Sequence, residues 1–458
     1  MQSLPISLPI DAAVAPAAGS SAGPRPLLDR GAVVATVAGN ALEFYDFLSY
    51  ATFAVYIGRA FFPTGNAFAS LLLTLATFGV GFVTRPLGGL LIGAYADRAG
   101  RRPALMLTIS LMTVGTLALV VTPSYASIGL AAPIILIIAR LVQGLALGGE
   151  VGPSTAVLLE CAPAHRRGIF VSWQSASQGI AVLTAGVVGL ALSSVLDNEQ
   201  LGAWGWRLPF ALGLLIVPVG LYIRRRLPET LEAPGTRGSS AVLGLLWREH
   251  RRTLLLAILI IMCLTVSTYV DGYMTTYALT SLGMAASKAM LATIATGAVM
   301  AAAAVWGGHL SDRFGRKAVM ILPRIALAIG VVPAFMLLLT HTTPGVLVLV
   351  TALLTLLGTL SAAPVLTALG EVFPNEVRSS GLAIAYALSV SIFGGSTQFI
   401  VAWLIGVTGN RVSPGYYVVI VSVISLWAMF RLPLPLAPAA LRRLPGADCQ
   451  ADSASSGG

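Results

Sequence analysis

The stretch Gly93-Ala-Tyr-Ala-Asp97-Arg98-Ala-Gly100-Arg101-Arg102 recurs as Gly308-His-Leu-Ser-Asp312-Arg313-Phe-Gly315-Arg316-Lys317, at an offset of 215 residues. A second, looser repeat relates residues 160–168 to residues 371–381, at an offset of 211. Two motifs that recur in the same order at nearly equal offsets indicate a duplicated unit. Parallel repeats of this kind are typical of membrane carriers whose substrate site lies near the bilayer midplane, between the repeats.

The composition excludes a soluble globular protein. Of the 458 residues, 56% are hydrophobic and only 10% are charged, whereas about 25% of residues are charged in an ordinary soluble domain. Mean hydropathy is +0.86, so lipid must cover much of the apolar surface. Twelve transmembrane helices would take about 240 residues, which leaves room only for short loops and tails.

Apolar runs of helical length, separated by Gly, Pro and charged clusters, predict twelve spans. The first six are predicted at residues 31–55, 68–92, 104–122, 131–156, 169–193 and 208–224. The second six are predicted at residues 253–280, 288–308, 318–340, 345–369, 380–406 and 414–431. We therefore expect an all-α membrane protein made of two pseudo-symmetric six-helix bundles, at residues 31–226 and 253–431. A cytoplasmic loop at 227–252 and disordered tails at 1–30 and 432–458 complete the predicted domains.

The placement of basic residues predicts the orientation. Net charge is +10, and most of the 28 Lys and Arg residues fall in alternate loops, including the two repeated motifs and the central loop. By the positive-inside rule, both termini are expected in the cytoplasm. This distribution also argues against nucleic acid as a partner. Three scattered cysteines without CxxC spacing indicate neither a disulfide framework nor a metal site.

The repeated Gly-x-x-x-Asp-Arg-x-Gly-Arg-Arg/Lys motif resembles the signature of the major facilitator superfamily. Residues 39–47, 85–88 and 140–144, together with Glu150, resemble the metabolite:proton symporter family within it. A closer resemblance, to citrate and tricarballylate proton symporters, depends on residues 172–178, 204–210, 393–395 and 413–416. Two positions depart from that pattern: Asp271 adds a carboxylate in span seven, and Gln398 stands near a usual proline in span eleven.

The repeated motif predicts a conformational latch. A loop carboxylate can accept hydrogen bonds from a neighbouring helix N-terminus, and an arginine can bind a helix C-terminus, which holds the bundles in one facing state. The alternative is that these charges only orient the chain. The pairs Glu160/Arg167 and Glu371/Arg378 predict similar links. The latch residues are Asp97, Arg98, Arg101, Arg102, Asp312, Arg313, Arg316 and Lys317.

Acidic residues inside spans are candidates for proton coupling. Asn40, Glu43 and Asp46 share one helical face at i, i+3 spacing. A charge at the bilayer centre costs roughly 2.5–3.5 kcal/mol on insertion scales, and such residues usually face a cavity and mark an ion path. A packing role, through pairing with an arginine, is the alternative. The proton-coupling candidates are Glu43, Asp46, Glu150 and Asp271. Asp271 has two alternatives: it selects against a third substrate carboxylate, or it faces solvent at a span end.

Polar residues in apolar spans are candidates for substrate binding. Arg140 can bind a substrate carboxylate bidentately or hold Glu43, Asp46 or Glu150 until substrate displaces it; a permanent buried ion pair is the alternative, for Arg140 and for Arg85. Gln174 and Gln178 can donate to an anion or bond between helices. Arg324, near the start of span nine, is expected to snorkel to the surface. The full substrate-binding set is Asn40, Arg140, Gln143, Gln174, Gln178, Tyr50 and Gln398.

The function expected from these observations is proton-coupled import of a small carboxylate across an inner membrane, with citrate or a related tricarboxylate favoured by the resemblance. Dicarboxylates such as itaconate or 2-oxoglutarate, and zwitterionic osmolytes such as betaine or proline, are the alternatives. The chain contains no G-x-x-x-x-G-K-S/T, HExxH or GxSxG motif, so neither a nucleotide-driven pump nor an enzyme is indicated. The expected partners are the substrate, protons and the lipid bilayer, with a functional monomer and no cofactor.

Overall fold

The structure, a computed structural model, describes residues 30–99, 101–148, 166–225, 247–374 and 377–434. In these ranges the regular secondary structure is helical throughout, and no strand occurs. Each of the twelve predicted spans contains a helical segment; the last part of the fourth span, residues 149–156, lies outside the described residues.

The described residues of the first half form ten helices. They are α1 (Arg30–Thr52), α2 (Ala54–Phe61), α3 (Ala67–Val83), α4 (Arg85–Ala99), α5 (Arg101–Val121), α6 (Tyr125–Ile128), α7 (Ala131–Gly148), α8 (Arg167–Val195), α9 (Asn198–Ala203) and α10 (Leu208–Arg225). Helices α3 and α4 together form the second span, with an irregularity at Thr84. A 3₁₀ turn at Gly205–Arg207 precedes α10.

In the second half, eight helices lie within the part of the chain that the structure describes. They are α11 (Arg251–Thr280), α12 (Ala286–Phe314), α13 (Arg316–Thr340), α14 (Pro344–Ala362), α15 (Val365–Val372), α16 (Arg378–Ser389), α17 (Gly395–Thr408) and α18 (Ser413–Arg431). A π-helical turn at Val390–Gly394 joins α16 to α17, so that span eleven is continuous but locally widened.

Nine helical segments in the described ranges are long and apolar enough to cross a bilayer. They correspond to every predicted span except the first, third and sixth. The apolar part of α5, Met106–Val121, is shorter, while α1 has 23 residues and α10 has 18. Across the bundle, polar side chains such as Asp46 and Thr116 lie inside. Large apolar side chains such as Leu91 and Ile329 face outward. This inside-out distribution suits a lipid environment.

Glycines allow close contact between the two halves. The most extensive contact between them joins α8 to α12, and a second joins α3 to α17. A Cβ atom on Gly308 would lie 2.6 Å from the carbonyl oxygen of Gly168, and one on Gly395 would lie 3.0 Å from that of Gly79. Small residues at these points let the helix backbones approach, as is common between membrane helices.

One glycine of the repeated motif is required by backbone geometry. Gly315, between α12 and α13, has φ +93°, a region that residues with a Cβ rarely occupy. The sharp turn directs α13 back along α12 and brings Asp312 and Arg316 to the same end of the bundle.

Candidate transport site

Asp46 lies in a buried polar network that connects three helices of the first half. Its carboxylate accepts hydrogen bonds from the Thr116 hydroxyl and, at 3.1 Å, from Gln143 Nε2. The same Gln143 amide nitrogen also donates to Thr116 Oγ1, at 2.9 Å. One carboxylate oxygen, Asp46 Oδ1, has no hydrogen-bond partner among the described residues. Spans one, three and four therefore meet at a single acidic group.

Arg140 connects to this network through Gln143. Its Nη1 donates to Gln143 Oε1 at 2.8 Å, so Gln143 bridges the arginine and the carboxylate, and the two charges do not form a direct ion pair. The guanidinium carbon of Arg140 lies 3.6 Å from the ring centroid of Tyr50, an arrangement that stabilises a buried cation. The Tyr50 hydroxyl donates to the carbonyl oxygen of Thr74.

One edge of the Arg140 guanidinium has no hydrogen-bond partner among the described residues. Nε and Nη2 are buried and lack a hydrogen-bond partner within the described part of the chain. These two nitrogens form the edge to which a carboxylate binds with two parallel hydrogen bonds. Arg140 itself is fully buried, and an incompletely bonded buried guanidinium is costly unless something satisfies it in another state. A carboxylate placed at this edge would satisfy both nitrogens.

Arg85 lies close to the same aromatic cluster. Its guanidinium carbon lies 4.6 Å from the ring centroid of Phe47 and 4.1 Å from that of Phe82. Arg140 lies 5.5 Å from the Phe47 centroid. The Phe47 ring is therefore flanked by two arginines.

Two predicted amides bond to each other across helices. Asn40 Nδ2 donates to Ser177 Oγ at 2.6 Å, and Gln174 Nε2 donates to Asn40 Oδ1 at 3.1 Å. These bonds join α1 to α8, which is the interhelical alternative for Gln174. Gln178, one turn further along, lines a small cavity instead.

Two small cavities lie between the halves. One, of about 30 Å³, is lined by Asp271 and Gln398 of the second half and by Leu48, Ala51 and Thr52 of α1. The other, of about 40 Å³, is lined by Gln174 and Gln178 of α8 and by Tyr386. Thr268, Met300 and Thr359 line both cavities, which are therefore adjacent. Asp271 thus faces the space between the bundles, and its alternative position at a span end is excluded.

The expectation that Arg324 snorkels to the surface is wrong. Arg324 is fully buried, and it donates from Nη1 to Ser267 Oγ at 2.7 Å and from Nε to Ser361 Oγ at 3.3 Å. The prediction used only the position of Arg324 along its helix. The side chain points into the bundle, where two serines bind it. Among the described residues, its Nη2 has no partner.

The second copy of the repeated motif joins the two halves. Asp312, near the end of α12, accepts hydrogen bonds from the backbone N–H groups of Gly168 at 2.9 Å and Ile169 at 3.0 Å. Both groups lie in the first turn of α8, where unpaired N–H groups and the helix dipole favour a carboxylate. Asp312 also forms an ion pair with Arg316, at 2.6 Å.

Other motif residues have different partners. Arg316 also pairs with Glu371 at 3.2 Å, so the expected pairing of Glu371 with Arg378 is wrong; Arg316 lies closer to that carboxylate. Lys317 donates to the carbonyl oxygen of Phe430 at 3.1 Å, at the end of α18. Arg313 is exposed and lies 5.4 Å from the ring centroid of Phe314.

Several predicted residues lie outside the described part of the structure. They are Glu150, Glu160 and the side chains of Glu43, Asp97, Arg98, Arg101 and Arg102. The sequence analysis missed Thr116, Ser267 and Ser361. A hydroxyl in an apolar span usually bonds to its own backbone, so no sequence signal distinguishes these three from the other Ser and Thr residues.

A larger cavity opens at the other end of the bundle from Asp312. It has a volume of about 570 Å³ and lies between α2, the start of α3 and the turn before α12. Arg59, Tyr56, Asn66 and Asn198 are among its lining residues. The contact between Asp312 and α8 closes one end of the interface between the halves, while this cavity, which we call the outer cavity, opens the other end.

A helical membrane protein with two related halves, polar networks inside the bundle and closure at one end belongs to the class of alternating-access carriers. The comparisons identify the family. The model of the Major Facilitator Superfamily matches residues 36–384 and, overlapping, 273–448, and the chain belongs to this superfamily. It is not an enzyme.

Known proteins similar to the chain include carriers for anions and for osmolytes. A citrate-proton symporter of Klebsiella pneumoniae is 38% identical over 87% of this chain and 90% of its own length. The glycine betaine/proline/ectoine/pipecolic acid transporter OusA of Dickeya dadantii is 35% identical over 87% of this chain and 82% of its own length. A crystal structure of a D-xylose-proton symporter has a TM-score of 0.72 at 21% identity, covering 89% of this chain and 98% of that one. The predicted fold is confirmed.

Proposed function

We propose that the protein imports a small carboxylate, citrate or a related tricarboxylate, together with protons by alternating access. The vacant edge of buried Arg140, linked to Asp46 by Gln143, is the observation that carries this proposal. The identity to citrate-proton symporters, 38% and 36% over 87% of the chain, supports the choice of substrate. The protein acts as a monomer in the inner membrane, with both termini in the cytoplasm.

Gln143 couples the proton site to the substrate site. In the unprotonated state its amide donates to Asp46 while its carbonyl accepts from Arg140, so the carboxylate and the guanidinium share one bridging group. A proton on Asp46 removes the negative charge that attracts Arg140. The arginine then offers its full positive charge and its vacant edge to a substrate carboxylate. Release of the proton reverses the exchange and favours substrate release.

Neutral donors complete the substrate site. The rings beside Arg140, including Tyr50, hold the guanidinium in place, and the amides of α1 and α8 provide neutral hydrogen bonds near the path between the bundles. A polyanion must also be released, and neutral donors around few arginines bind it less tightly than a ring of fixed cations. We assign substrate contact to Asn40, Arg140, Gln143, Gln174, Gln178, Tyr50 and Gln398, and proton coupling to Asp46, with Glu43, Glu150 and Asp271 as further candidates.

The repeated motif controls which side is open. Asp312 binds the first turn of α8 and so holds the two halves together at the cytoplasmic end, while the outer cavity remains open. By the internal repeat, Asp97 plays the matching part for the first half.

Uptake by reconstituted protein tests the proposal. We expect labelled citrate to enter proteoliposomes when the outside is acidic, to exchange in counterflow, and to enter slowly without a pH gradient. A panel with itaconate, 2-oxoglutarate, betaine and proline compares the substrate classes. Clear betaine or proline uptake without any acid-stimulated carboxylate uptake would replace the anion by an osmolyte, which the identity to OusA makes the second candidate.

A further inference from the structure

Asp271 of α11 and Gln398 of α17 line the same cavity, although 127 positions separate them in the sequence. A Cβ atom on Gly272 would lie 3.4 Å from Gln398 Nε2, so the amide nitrogen lies next to the backbone of the residue that follows Asp271. The two side chains form one wall of the cavity between the halves.

The orientation of the Gln398 amide is fixed. Its Nε2 donates to the carbonyl oxygen of Tyr269 at 3.3 Å, and a carbonyl can only accept, so the nitrogen must point there. The amide oxygen, Oε1, therefore points elsewhere, and it has no hydrogen-bond partner within the described residues, although Gln398 is only 1% exposed. A buried acceptor without a donor is unfavourable, and such an atom in a cavity wall indicates a ligand that donates.

Apart from Asp271, the described residues that line this cavity are neutral. Arg324 is not among the lining residues, but it donates a hydrogen bond to Ser267, which lines the cavity. Tyr269 is the other titratable group of the lining. Three other helices line the cavity with neutral side chains: Leu48, Ala51 and Thr52 of α1, Thr293, Thr296 and Met300 of α12, and Gly358 and Thr359 of α14. The Thr355 side chain lies beside the Asp271 carboxylate. No cation of the described chain lines this cavity directly, so its wall does not suit a second carboxylate.

The cavity is small. Its volume of about 30 Å³ is about two to three times the minimum that one water molecule needs. A hydroxyl group fits this space. Thr296 Oγ1, another lining atom without a partner among the described residues, can donate to a hydroxyl oxygen placed there.

We propose that Gln398, beside Asp271, binds a hydroxyl group of the substrate, so that the transported acid is a hydroxy-carboxylate. The inference rests on the proposed function: the carboxylates are held by Arg140 on the first half, and the hydroxyl donates its proton to Gln398 Oε1 on the second half. The two halves then bind different chemical groups of one substrate molecule. A substrate lacking the hydroxyl leaves the Gln398 oxygen unpaired.

Citrate and tricarballylate make a matched pair of probes, because they have the same three carboxylates and differ in the hydroxyl. Each acid is used to compete with labelled citrate in counterflow by full-length protein in proteoliposomes. For the wild type we expect tricarballylate to require at least about ten times the concentration of citrate for half inhibition. For Gln398→Met, which keeps the length of the side chain and removes the acceptor, we expect the two acids to compete within about threefold of each other.

Ser396→Ala is the control, because that residue lies on the same helix and bonds only to the carbonyl oxygen of Ile392; it should keep the wild-type ratio.

Should Gln398→Met not fold, Gln398→Glu, which retains a carbonyl oxygen, should keep most of the discrimination, and Thr296→Val should reduce it. Equal competition in the wild type, or unchanged discrimination in a folded Gln398→Met, overturns the hydroxyl assignment while leaving carboxylate transport intact. Competition by proline as strong as that by citrate assigns the donor to an ammonium and overturns it too. If neither acid binds, the proposed function fails as well.

Discussion

At the scale of single residues, Gln143 has the central position. It is fully buried and bonds to Thr116, Asp46 and Arg140. An amide can donate and accept at once, so in the proposed mechanism this side chain transmits a change of charge from the acid to the arginine without an ion pair between them. The three charged or amide members were predicted as candidates because polar groups are rare in apolar spans. Thr116 was not, because a lone threonine carries no such signal.

Substitution Asp46→Asn should abolish acid-driven uptake while retaining exchange. Asparagine keeps the shape and one acceptor for Gln143 and Thr116 but cannot take up a proton. We expect uptake under an inward pH gradient to fall at least tenfold, and counterflow without a gradient to stay within about threefold of wild type. Proteoliposome uptake in both modes measures this. Asp197→Asn, at an exposed helix N-cap, is the control. Full acid-driven uptake by Asp46→Asn would remove this residue from the coupling role.

Substitution Arg140→Lys should raise the KM for the carboxylate. Lysine keeps the charge but loses both the stacking on Tyr50 and the two-nitrogen edge. Losing one hydrogen bond to a charged group costs about 1.5–3 kcal/mol, which corresponds to a KM about 10- to 100-fold higher. Concentration-dependent counterflow measures it, with Arg411→Lys, in an exposed loop, as the control. An unchanged KM would mean that Arg140 is a structural cation.

At the scale of helices, the bounds of the spans were predicted within a few residues where a short loop separates them, as between α11 and α12. Interruptions inside a span were not predicted: the break at Phe53, the irregularity at Thr84 and the π-helical turn at Val390–Gly394. These segments are continuously apolar, and packing against other helices determines where the backbone departs from regular geometry. The burial of Arg324 was missed for the same reason, since span position does not specify which face meets the bundle.

Substitution Asp312→Ala should loosen the end of the bundle at which α8 meets α12. It removes the acceptor for the Gly168 and Ile169 N–H groups and the partner of Arg316. Loss of these charge-assisted bonds should increase the population open at this end by about tenfold or more. A cysteine at Ser172, which is buried next to Gly308, placed in a background without native cysteines, should then react faster with an impermeant maleimide. His309→Ala, exposed on the same helix, is the control. An unaltered reaction rate would show that Asp312 does not hold the halves together.

At the scale of the whole molecule, the two halves have different interiors. The first contains Asp46 and Arg140 with an amide between them, and the second contains Asp271 and Arg324 with serines and threonines around them. The duplication was evident from the sequence because the latch motif repeats, and the predicted family and fold are confirmed. The arginines lie on spans four and nine, which are not equivalent in the repeat, and the serines that bind Arg324 could not be predicted from the sequence.

Transport of a polyanion by this chain should not be opposed by an inside-negative potential. Each elementary charge moved across 100 mV changes the free energy by about 2.3 kcal/mol, so the potential opposes import unless at least as many protons enter as the substrate has negative charges. We expect the initial rate of citrate uptake at a fixed pH gradient to stay constant or rise when valinomycin and a potassium gradient impose the potential. A marked fall in rate would mean that net negative charge enters.

The scarcity of lysine has a practical consequence. The chain has two lysines: Lys288, exposed near the start of α12 and beyond the outer cavity, and Lys317, at the opposite end of the same hairpin and bonded to the end of α18. Acylating reagents that do not cross lipid should therefore distinguish the two faces of the membrane with natural side chains, by peptide mass alone. Because the Lys317 amine binds main-chain carbonyls, its rate of acylation also reports how tightly the last helix is held against the latch.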